Sequence, residues 1–211
     1  PTMSYSAQTY VSLLLDFLRD VPTEPPAVVA SSLSSAYAVL AAYRAPQHVA
    51  GLVLVCPTGI TRLATPQSGL ESVTYGALSA PVVGQSLYNI LVSEASIRYY
   101  LRNQVFSSPD AVDEALVRQM YATSHRPGAR YAPAAFVGGA LNLDVAEVFP
   151  RLTRTTLVAW GAQARMTPVG NAEAFAAANA GVRLEVVDGA GLLPHDERAG
   201  WFNGVVSEFL G

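Results

Sequence analysis

A short buried strand that turns at once into a helix is the feature that constrains this chain most. The apolar run Ala27–Ala30 predicts the strand, and small residues from Ser31 onward end it. A helical pattern follows, and its apolar face consists of Ala36, Val39, Leu40 and Tyr43. The chain must therefore change direction sharply between a strand and a helix.

Such a turn is the geometry of a nucleophile elbow, in which a serine holds strained backbone angles. The residues two positions to either side of that serine are crowded and must be small. Around Ser32 they are Ala30 and Ser34, so the frame is small-x-Ser-x-small rather than Gly-x-Ser-x-Gly. Ser32 is the candidate nucleophile. The alternative is that these serines are packing residues and helix caps.

Three further apolar runs predict strands, and each is separated from the next by a helical or loop segment. They are Gly51–Cys56, Thr155–Gly161 and Val182–Val187. Continuous apolar runs are typical of parallel strands that helices cover on both faces. The last run carries Arg183 and Glu185, which favours a place near the sheet edge. The strand–helix–strand order predicts right-handed crossovers.

Helical periodicity predicts Tyr5–Arg19, a helix from the elbow to Arg44, one that Thr167 caps and that runs to Asn179, and Pro194–Leu210. Between residues 70 and 149 no strand is predicted, only helical pieces such as Ser93–Gln104. A further piece follows Ser108-Pro109, with an apolar face of Val112, Leu116 and Met120. We therefore divide the chain into core residues 1–69, a helical cap at 70–149, and core residues 150–211.

Composition narrows the classes of partner. Of the 211 residues, 51% are hydrophobic, which supports one sizeable core. The net charge of −3 gives no reason to expect nucleic acid or an anionic membrane as partner. No apolar run is long enough to span a membrane. A single cysteine, Cys56, and the lack of a signal peptide predict a cytoplasmic protein, although a start at Pro1 suggests a fragment or processed product.

Five segments together resemble the α/β-hydrolase fold family. They are the elbow, Gly51–Cys56 followed by Pro57-Thr58-Gly59, the helical insertion in the cap position, the loop 160–168 (WGAQARMTP) and the loop 188–197 (DGAGLLPHDE). The resemblance implies an α/β fold with a mostly parallel sheet of about four strands, flanked by helices and carrying a helical cap. It is a partial version of the family fold, because the chain begins at the helix before the elbow strand.

The resemblance also assigns site residues. Ser32 matches the nucleophile, and the amide of Leu33 matches one oxyanion donor. The position of the family's acid holds Ala164, and that of its general base holds Leu192. Neither side chain can do that chemistry, and a serine is a poor nucleophile without a base. His195, three residues further along the same loop, becomes the candidate for a displaced base.

The remaining titratable residues are weaker candidates. His48 is expected at the far end of the sheet and exposed to solvent, and His125 lies in the cap. Asp144, Asp188 and Asp196 are conceivable acids, although each residue is more often a turn or capping residue. No Cys/His spacing fits a metal site, and no glycine-rich phosphate loop follows a strand. We therefore expect neither a metal nor a cofactor.

Three functions stay open at this stage. The first is a serine hydrolase of the carboxylic-ester type that acts on a small apolar or ester substrate. The second is a non-catalytic relative that binds a small molecule between sheet and cap. The third is a fragment that needs a partner chain. The strand Ala27–Ala30 would form an open sheet edge, which either the helix Tyr5–Arg19 covers or a second copy pairs with in a homodimer.

Overall fold

Four parallel strands form the centre of the molecule. The computed structural model describes residues 5–60 and 83–211. The strands are β1 (Ala27–Ser31), β2 (Gly51–Val55), β3 (Thr156–Gly161) and β4 (Val182–Val187), and they lie side by side in that order. The predicted α/β fold with about four parallel strands is therefore confirmed.

Burial follows the position of each strand in the sheet. Every residue of β2 and β3 is buried, because helices cover both faces there. The outer strand β4 is only partly buried, and on it Arg183 pairs with Glu185 at 2.9 Å and with Glu208 at 3.1 Å. The sequence pattern had placed this strand at an edge, and the structure confirms it.

Five helices flank the sheet in the described residues. They are α1 (Ala7–Asp20), α2 (Leu33–Arg44), α7 (Ala172–Ala178), α8 (Pro194–Glu197) and α9 (Ala199–Leu210). The predicted single helix Pro194–Leu210 is wrong, because Arg198 adopts φ −132° and ψ 49° and separates α8 from α9. The predicted apolar face of the final helix does pack on the core, with Phe202 buried.

The helix predicted after Thr167 begins later than expected. A single 3-10 turn, Val169–Asn171, precedes α7, and Thr167 is not its cap. The reason is local: Pro168 has an extended ψ of 140°, so the chain does not enter a helix at that point. Instead, the Thr167 carbonyl accepts a hydrogen bond from the indole N–H of Trp160 at 2.9 Å.

Helices fill the described part of the insertion between β2 and β3. They are α3 (Val83–Leu91), α4 (Glu94–Tyr100), α5 (Glu114–Ser124) and α6 (Tyr131–Val137), and α4 continues into a π-helical turn, Leu101–Val105. No strand occurs among residues 83–149. The first part of the predicted cap, residues 70–82, lies outside the described residues, so its boundary stays a prediction.

One helix start in the insertion was predicted wrongly. Ser108-Pro109 begins only a 3-10 turn, Pro109–Ala111. The helix α5 starts after Asp113, whose carboxylate accepts a hydrogen bond from the Ala115 amide at 2.9 Å. Val112 therefore precedes the helix, Val117 is its buried residue, and Met120 is exposed.

The outer edge of β1 remains open among the described residues. The helix α1 packs on α2, and a groove of about 360 Å³ separates it from the strand. Tyr10 and Leu14 of α1 line one side of the groove, and residues 28–31 line the other. The two outcomes expected for this edge, cover by α1 and pairing with a second copy, both stay predictions. Among the described helices, none combines the length and apolar character that crossing a membrane would need.

Candidate active site

Ser32 occupies a sharp turn between β1 and α2. Its backbone has φ 52° and ψ −121°, a conformation that L-residues rarely adopt. Three hydrogen bonds hold it: its N–H donates to the Val55 carbonyl at 2.8 Å, and its carbonyl accepts from the Ser35 amide at 3.1 Å and from the Thr58 amide at 3.4 Å. Such a conformation costs about 1–3 kcal/mol and is found most often at functional sites.

The serines around this turn have different tasks. Ser35 is buried, and its hydroxyl donates to the Ala30 carbonyl at 3.1 Å, so it is a packing residue. Ser32 stands at the cap position of α2 but makes no capping bond through its side chain. The capping interpretation therefore does not account for Ser32.

Leu33 is the first residue of α2. The first amides of a helix have no carbonyl acceptor within the helix, and the helix dipole makes that end attractive to negative charge. The Leu33 N–H therefore has the chemical character that an oxyanion donor needs.

Alkyl side chains fill the positions where the family pattern puts an acid and a base. Ala164 is 5% exposed and Leu192 is 8% exposed, and both belong to the hydrophobic core. Their amides are engaged, Ala164 with the Gly161 carbonyl at 3.1 Å and Leu192 with the Val105 carbonyl at 2.8 Å. Both loops are therefore ordered by burial and backbone hydrogen bonds, but neither position carries a titratable side chain.

Gln163 ties these two loops together. Its amide donates to the Ala190 carbonyl at 2.9 Å, and its side-chain oxygen accepts from the Ala190 amide at 3.1 Å. Its side-chain nitrogen donates to Asp188 at 2.6 Å, and this hydrogen bond is the main reason why the pKa of Asp188 is lowered. Asp188 therefore serves the loop structure.

The same two loops are also in backbone contact, at the point where Gly161 of one loop lies against Gly191 of the other. A Cβ atom on Gly161 would lie 2.0 Å from the Gly191 carbonyl oxygen. A Cβ atom on Gly191 would lie 2.3 Å from the carbonyl oxygen of Val105. Only glycine fits at either position, because both clashes are with backbone atoms, which cannot swing aside.

His195 lies in the short helix α8 and is half-buried. Its Nδ1 atom is buried without a hydrogen-bond partner among the described residues, and its ring packs 5.8 Å from that of Phe202. Burial lowers the pKa of His195, and the nearby Asp196 carboxylate opposes that shift. The ring is therefore kept neutral near pH 7, the form in which an imidazole accepts protons. No hydrogen bond joins it to Ser32 in residues 5–60 and 83–211.

The other histidines lie elsewhere. His48 sits in a 3-10 turn before β2, at the end of the sheet opposite to Ser32, and it is half-buried rather than exposed as predicted. His125 ends α5 in the insertion, where its ring lies 4.0 Å from that of Tyr121. Neither histidine contacts Ser32 through a hydrogen bond in the described part of the chain.

Neither of the remaining acid candidates forms a hydrogen bond with Ser32 or His195 among the described residues. Asp144 accepts a hydrogen bond from the Ala146 amide at 2.8 Å, which is an Asx turn. Asp196 is exposed on α8. No group of three or more His, Cys, Asp or Glu side chains could hold a metal ion among the described residues.

The comparison with protein families decides the family. The model of the alpha/beta hydrolase family matches residues 1–205. The chain belongs to the alpha/beta hydrolase family. No curated protein matches this alpha/beta hydrolase by sequence.

Solved structures show the same fold at low sequence identity. A meta-cleavage product hydrolase from Pseudomonas fluorescens IP01 is 21% identical with a TM-score of 0.75, over 99% of this chain and 72% of that one. A thermophilic esterase from Thermogutta terrifontis is 17% identical with a TM-score of 0.73, over 99% and 73%. A lipase-like protein from Acinetobacter baumannii AYE is 18% identical with a TM-score of 0.71, over 99% and 68%.

Glu197 links the insertion of this alpha/beta hydrolase to the loop that carries Leu192, and the sequence did not reveal this link. One carboxylate oxygen accepts from the Ser107 amide at 2.7 Å and from its hydroxyl at 2.6 Å. The other accepts from the Gly191 amide at 2.6 Å. Its partner Ser107 is 90 residues away in sequence, so no local sequence pattern predicts the contact.

Cys56 follows β2 and adopts a positive φ of 42°. The thiol is fully buried, and its sulfur lies 3.8 Å from the Gly191 carbonyl oxygen. Burial raises the pKa of Cys56 to about 11. The thiol is therefore neutral at physiological pH and behaves as a small hydrophobic group rather than as a nucleophile.

Proposed function

We propose that this protein is a serine hydrolase that acts on carboxylic esters, with Ser32 as its nucleophile. The single observation that carries the proposal is the backbone of Ser32, at φ 52° and ψ −121° between a strand and a helix. In a nucleophile elbow, a turn of this kind presents the serine hydroxyl beyond the sheet, with the amide of the following residue, here Leu33, as an oxyanion donor. Membership of the alpha/beta hydrolase family and the resemblance to an esterase support the reaction class.

The chemistry divides among three groups. The Ser32 oxygen forms a bond to the ester carbonyl carbon, and the Leu33 N–H stabilises the negative charge on the carbonyl oxygen. The proton of the serine hydroxyl passes to a base and then to the leaving alkoxide. Water hydrolyses the acyl-enzyme in a second step.

His195 enters the proposal as that base. It is neutral near pH 7, and its buried Nδ1 has no hydrogen-bond partner among the described residues. No hydrogen bond joins it directly to Ser32 there, so the proposed proton transfer requires the imidazole to come within hydrogen-bond reach of the Ser32 hydroxyl, directly or through one water. We therefore expect slow turnover.

Active-site labelling tests the proposal. A fluorophosphonate probe should modify the wild-type protein at one serine, and Ser32→Ala should abolish labelling. Ser34→Ala is the matched control, because that serine is exposed on the same helix two residues further on. Labelling that survives in Ser32→Ala, or that never occurs in the wild type, rules out Ser32 as the nucleophile.

A non-catalytic binding protein is the second candidate. The favouring observation is the burial of both Ala164 and Leu192 in the core, because two separate loops have lost their titratable groups while the loops themselves are intact. On this alternative a p-nitrophenyl ester would bind without release of p-nitrophenol above the rate in buffer. Release that disappears in Ser32→Ala excludes the alternative.

A further inference from the structure

Two cavities of contrasting chemistry adjoin each other within the helical insertion. The first encloses about 290 Å³ and is lined by charged and polar side chains, including His125, Arg126 and Arg130. The second encloses about 440 Å³ and is lined largely by apolar groups, including Leu116, Met120 and Pro133. Both are comparable to small-molecule sites, which span about 300–1,000 Å³.

The cavities form one continuous surface that is separate from the elbow. Tyr88, Ser124 and Ala129 line both of them. Every lining residue belongs to residues 85–133 of the insertion, and none comes from the sheet or from the loops around Ser32. A ligand here would therefore occupy a site distinct from the proposed ester site.

Within residues 5–60 and 83–211, no carboxylate pairs with the two arginines that line the first cavity. Arg130 donates to the Gln85 side-chain oxygen at 3.0 Å and to the Tyr131 hydroxyl at 3.3 Å. Neither Arg126 nor Arg130 forms an ion pair with a carboxylate among the described residues, whereas Arg98 in the same insertion pairs with Glu114 at 2.6 Å. Two unpaired guanidinium groups at the wall of one cavity favour a planar anion such as a carboxylate.

The framework of the first cavity is held in place by hydrogen bonds. The Tyr88 hydroxyl donates to the Ser124 carbonyl at 3.0 Å, which ties α3 to the end of α5. Arg130 also lies over the Tyr131 ring, with its central carbon 5.1 Å from the ring centre. The Arg130 guanidinium is therefore oriented before any ligand arrives.

The second cavity supplies an apolar site directly beside the charged one. Leu116 and Met120 project from successive turns of α5, and Pro133 faces them from α6. Methionine adapts its shape to flexible hydrocarbon chains. The surface thus offers a charged end and a hydrophobic end, which is the pattern of an amphipathic ligand.

We propose that this pair of cavities binds an aliphatic monocarboxylate, with its carboxylate on Arg126 and Arg130 and its hydrocarbon chain against Leu116, Met120 and Pro133. Such a ligand would supply an anionic partner to two arginines that have none in the described part of the chain, and its hydrocarbon chain would cover the exposed Met120 at the second cavity. The site adds a binding function to the insertion, independent of chemistry at Ser32.

Calorimetric titration with octanoate tests this site. Octanoate should bind at least about tenfold more tightly than acetate, which lacks the chain, or octanol, which lacks the charge. The double variant Arg126→Gln/Arg130→Gln should weaken octanoate about tenfold or more. The matched control is Arg118→Gln/Arg151→Gln, which removes the same charge from two exposed arginines that line neither cavity.

A second variant tests the apolar end. Leu116→Asn should weaken octanoate without changing the binding of acetate, and circular dichroism verifies that each variant is folded. If octanol binds as tightly as octanoate, or if the arginine pair has no more effect than its control, the proposal is wrong.

The Ser32→Ala variant separates this proposal from the hydrolase function. Octanoate should bind to it as it does to the wild type, whatever happens to ester turnover. Loss of octanoate binding in Ser32→Ala with full binding in the arginine variant would place the acid at the elbow and overturn the proposal.

Discussion

Glu197 and Ser107 are joined by two hydrogen bonds to the same carboxylate oxygen, of 2.7 Å from the amide and 2.6 Å from the hydroxyl. The other oxygen holds the Gly191 amide at 2.6 Å. One side chain thereby fastens the segment after the π-helical turn to the loop that carries Leu192. The connection between the insertion and this loop also includes the Leu192 amide, which donates to the Val105 carbonyl at 2.8 Å, and the Ser107 hydroxyl, which lies 3.1 Å from the Gly189 carbonyl oxygen.

Replacing that side chain should destabilise the protein. Glu197→Ala leaves two amides without their acceptor, and we expect the free energy of unfolding to fall by about 2–4 kcal/mol. Glu197→Gln keeps one acceptor oxygen and should cost less. Urea denaturation measures both, with the exposed Glu147→Ala as control. Equal midpoints for Glu197→Ala and Glu147→Ala would contradict the prediction.

The backbone of Ser32 predicts an unusual gain of stability. Ser32→Gly should raise the free energy of unfolding by about 1 kcal/mol, because glycine adopts a positive φ without steric cost. Ser32→Ala removes the same hydroxyl but keeps the strain, so it should not stabilise. Thermal unfolding of both variants under the same conditions measures the contribution of backbone strain separately from that of the lost hydroxyl. A glycine variant no more stable than the alanine variant would show that the turn is unstrained.

Restoring the family's acid and base should create activity. We expect Ala164→Asp with Leu192→His to raise ester hydrolysis at least about tenfold above either single variant, because base and orienting acid act as a unit. Adding Ser32→Ala to the double variant is the control and should remove the gain. A double variant no faster than the wild type would mean that these positions do not face Ser32.

The burial of His195 predicts loss of stability in acid. Its pKa is lowered in the folded protein from the ordinary value of 6.5, so the unfolded chain binds the proton first. Stability is therefore complete above pH 6.5 and falls as the pH drops through the range between the two pKa values.

Urea unfolding between pH 8 and pH 5 measures this dependence. His195→Phe removes the titrating group while keeping a ring against Phe202, and it should flatten the acid side of the profile. Asp196→Asn should steepen it, because the Asp196 carboxylate favours the charged imidazole. If His195→Phe follows the wild-type profile, this histidine does not control the acid response.

The open edge of β1 leads us to propose a homodimer with strands paired across the interface. The Ser32 amide bonds to β2, and amides alternate sides along a strand, so the Val29 amide points outward. The Val29 side chain is 56% exposed, and Phe17 on α1 is 53% exposed. An apolar surface beside unpaired backbone groups is the kind of edge that pairs with another chain.

Two proline variants distinguish loss of the dimer from loss of the fold. Val29→Pro removes an outward amide and should give a folded monomer in light scattering. Val28→Pro removes an amide that bonds to β2 and should destabilise the fold itself. A wild type that stays monomeric at high concentration would refute the pairing.

The fold and the site differ in how far the sequence determines them. The strands are recognisable because each is a short apolar run, and the Ser32 turn because its causes are local. Helix starts were less certain: Ser108 and Asp113 both accept capping bonds, and only the packed structure shows which one begins α5. Gln163 and Glu197 were missed because their partners lie 27 and 90 residues away.

The close backbone contact between Gly161 and Gly191 makes this protein a useful scaffold for enzyme design. The backbones of the two loops lie so close there that neither glycine has room for a Cβ atom, and Gln163 joins the loops further by two hydrogen bonds with Ala190. Catalytic side chains introduced at residues 164 and 192 would stand on loops that are already joined by close backbone contact and hydrogen bonds, a support that designed sites often lack. New pairs of residues can therefore be screened at these two positions by substitution alone, with no loop remodelling.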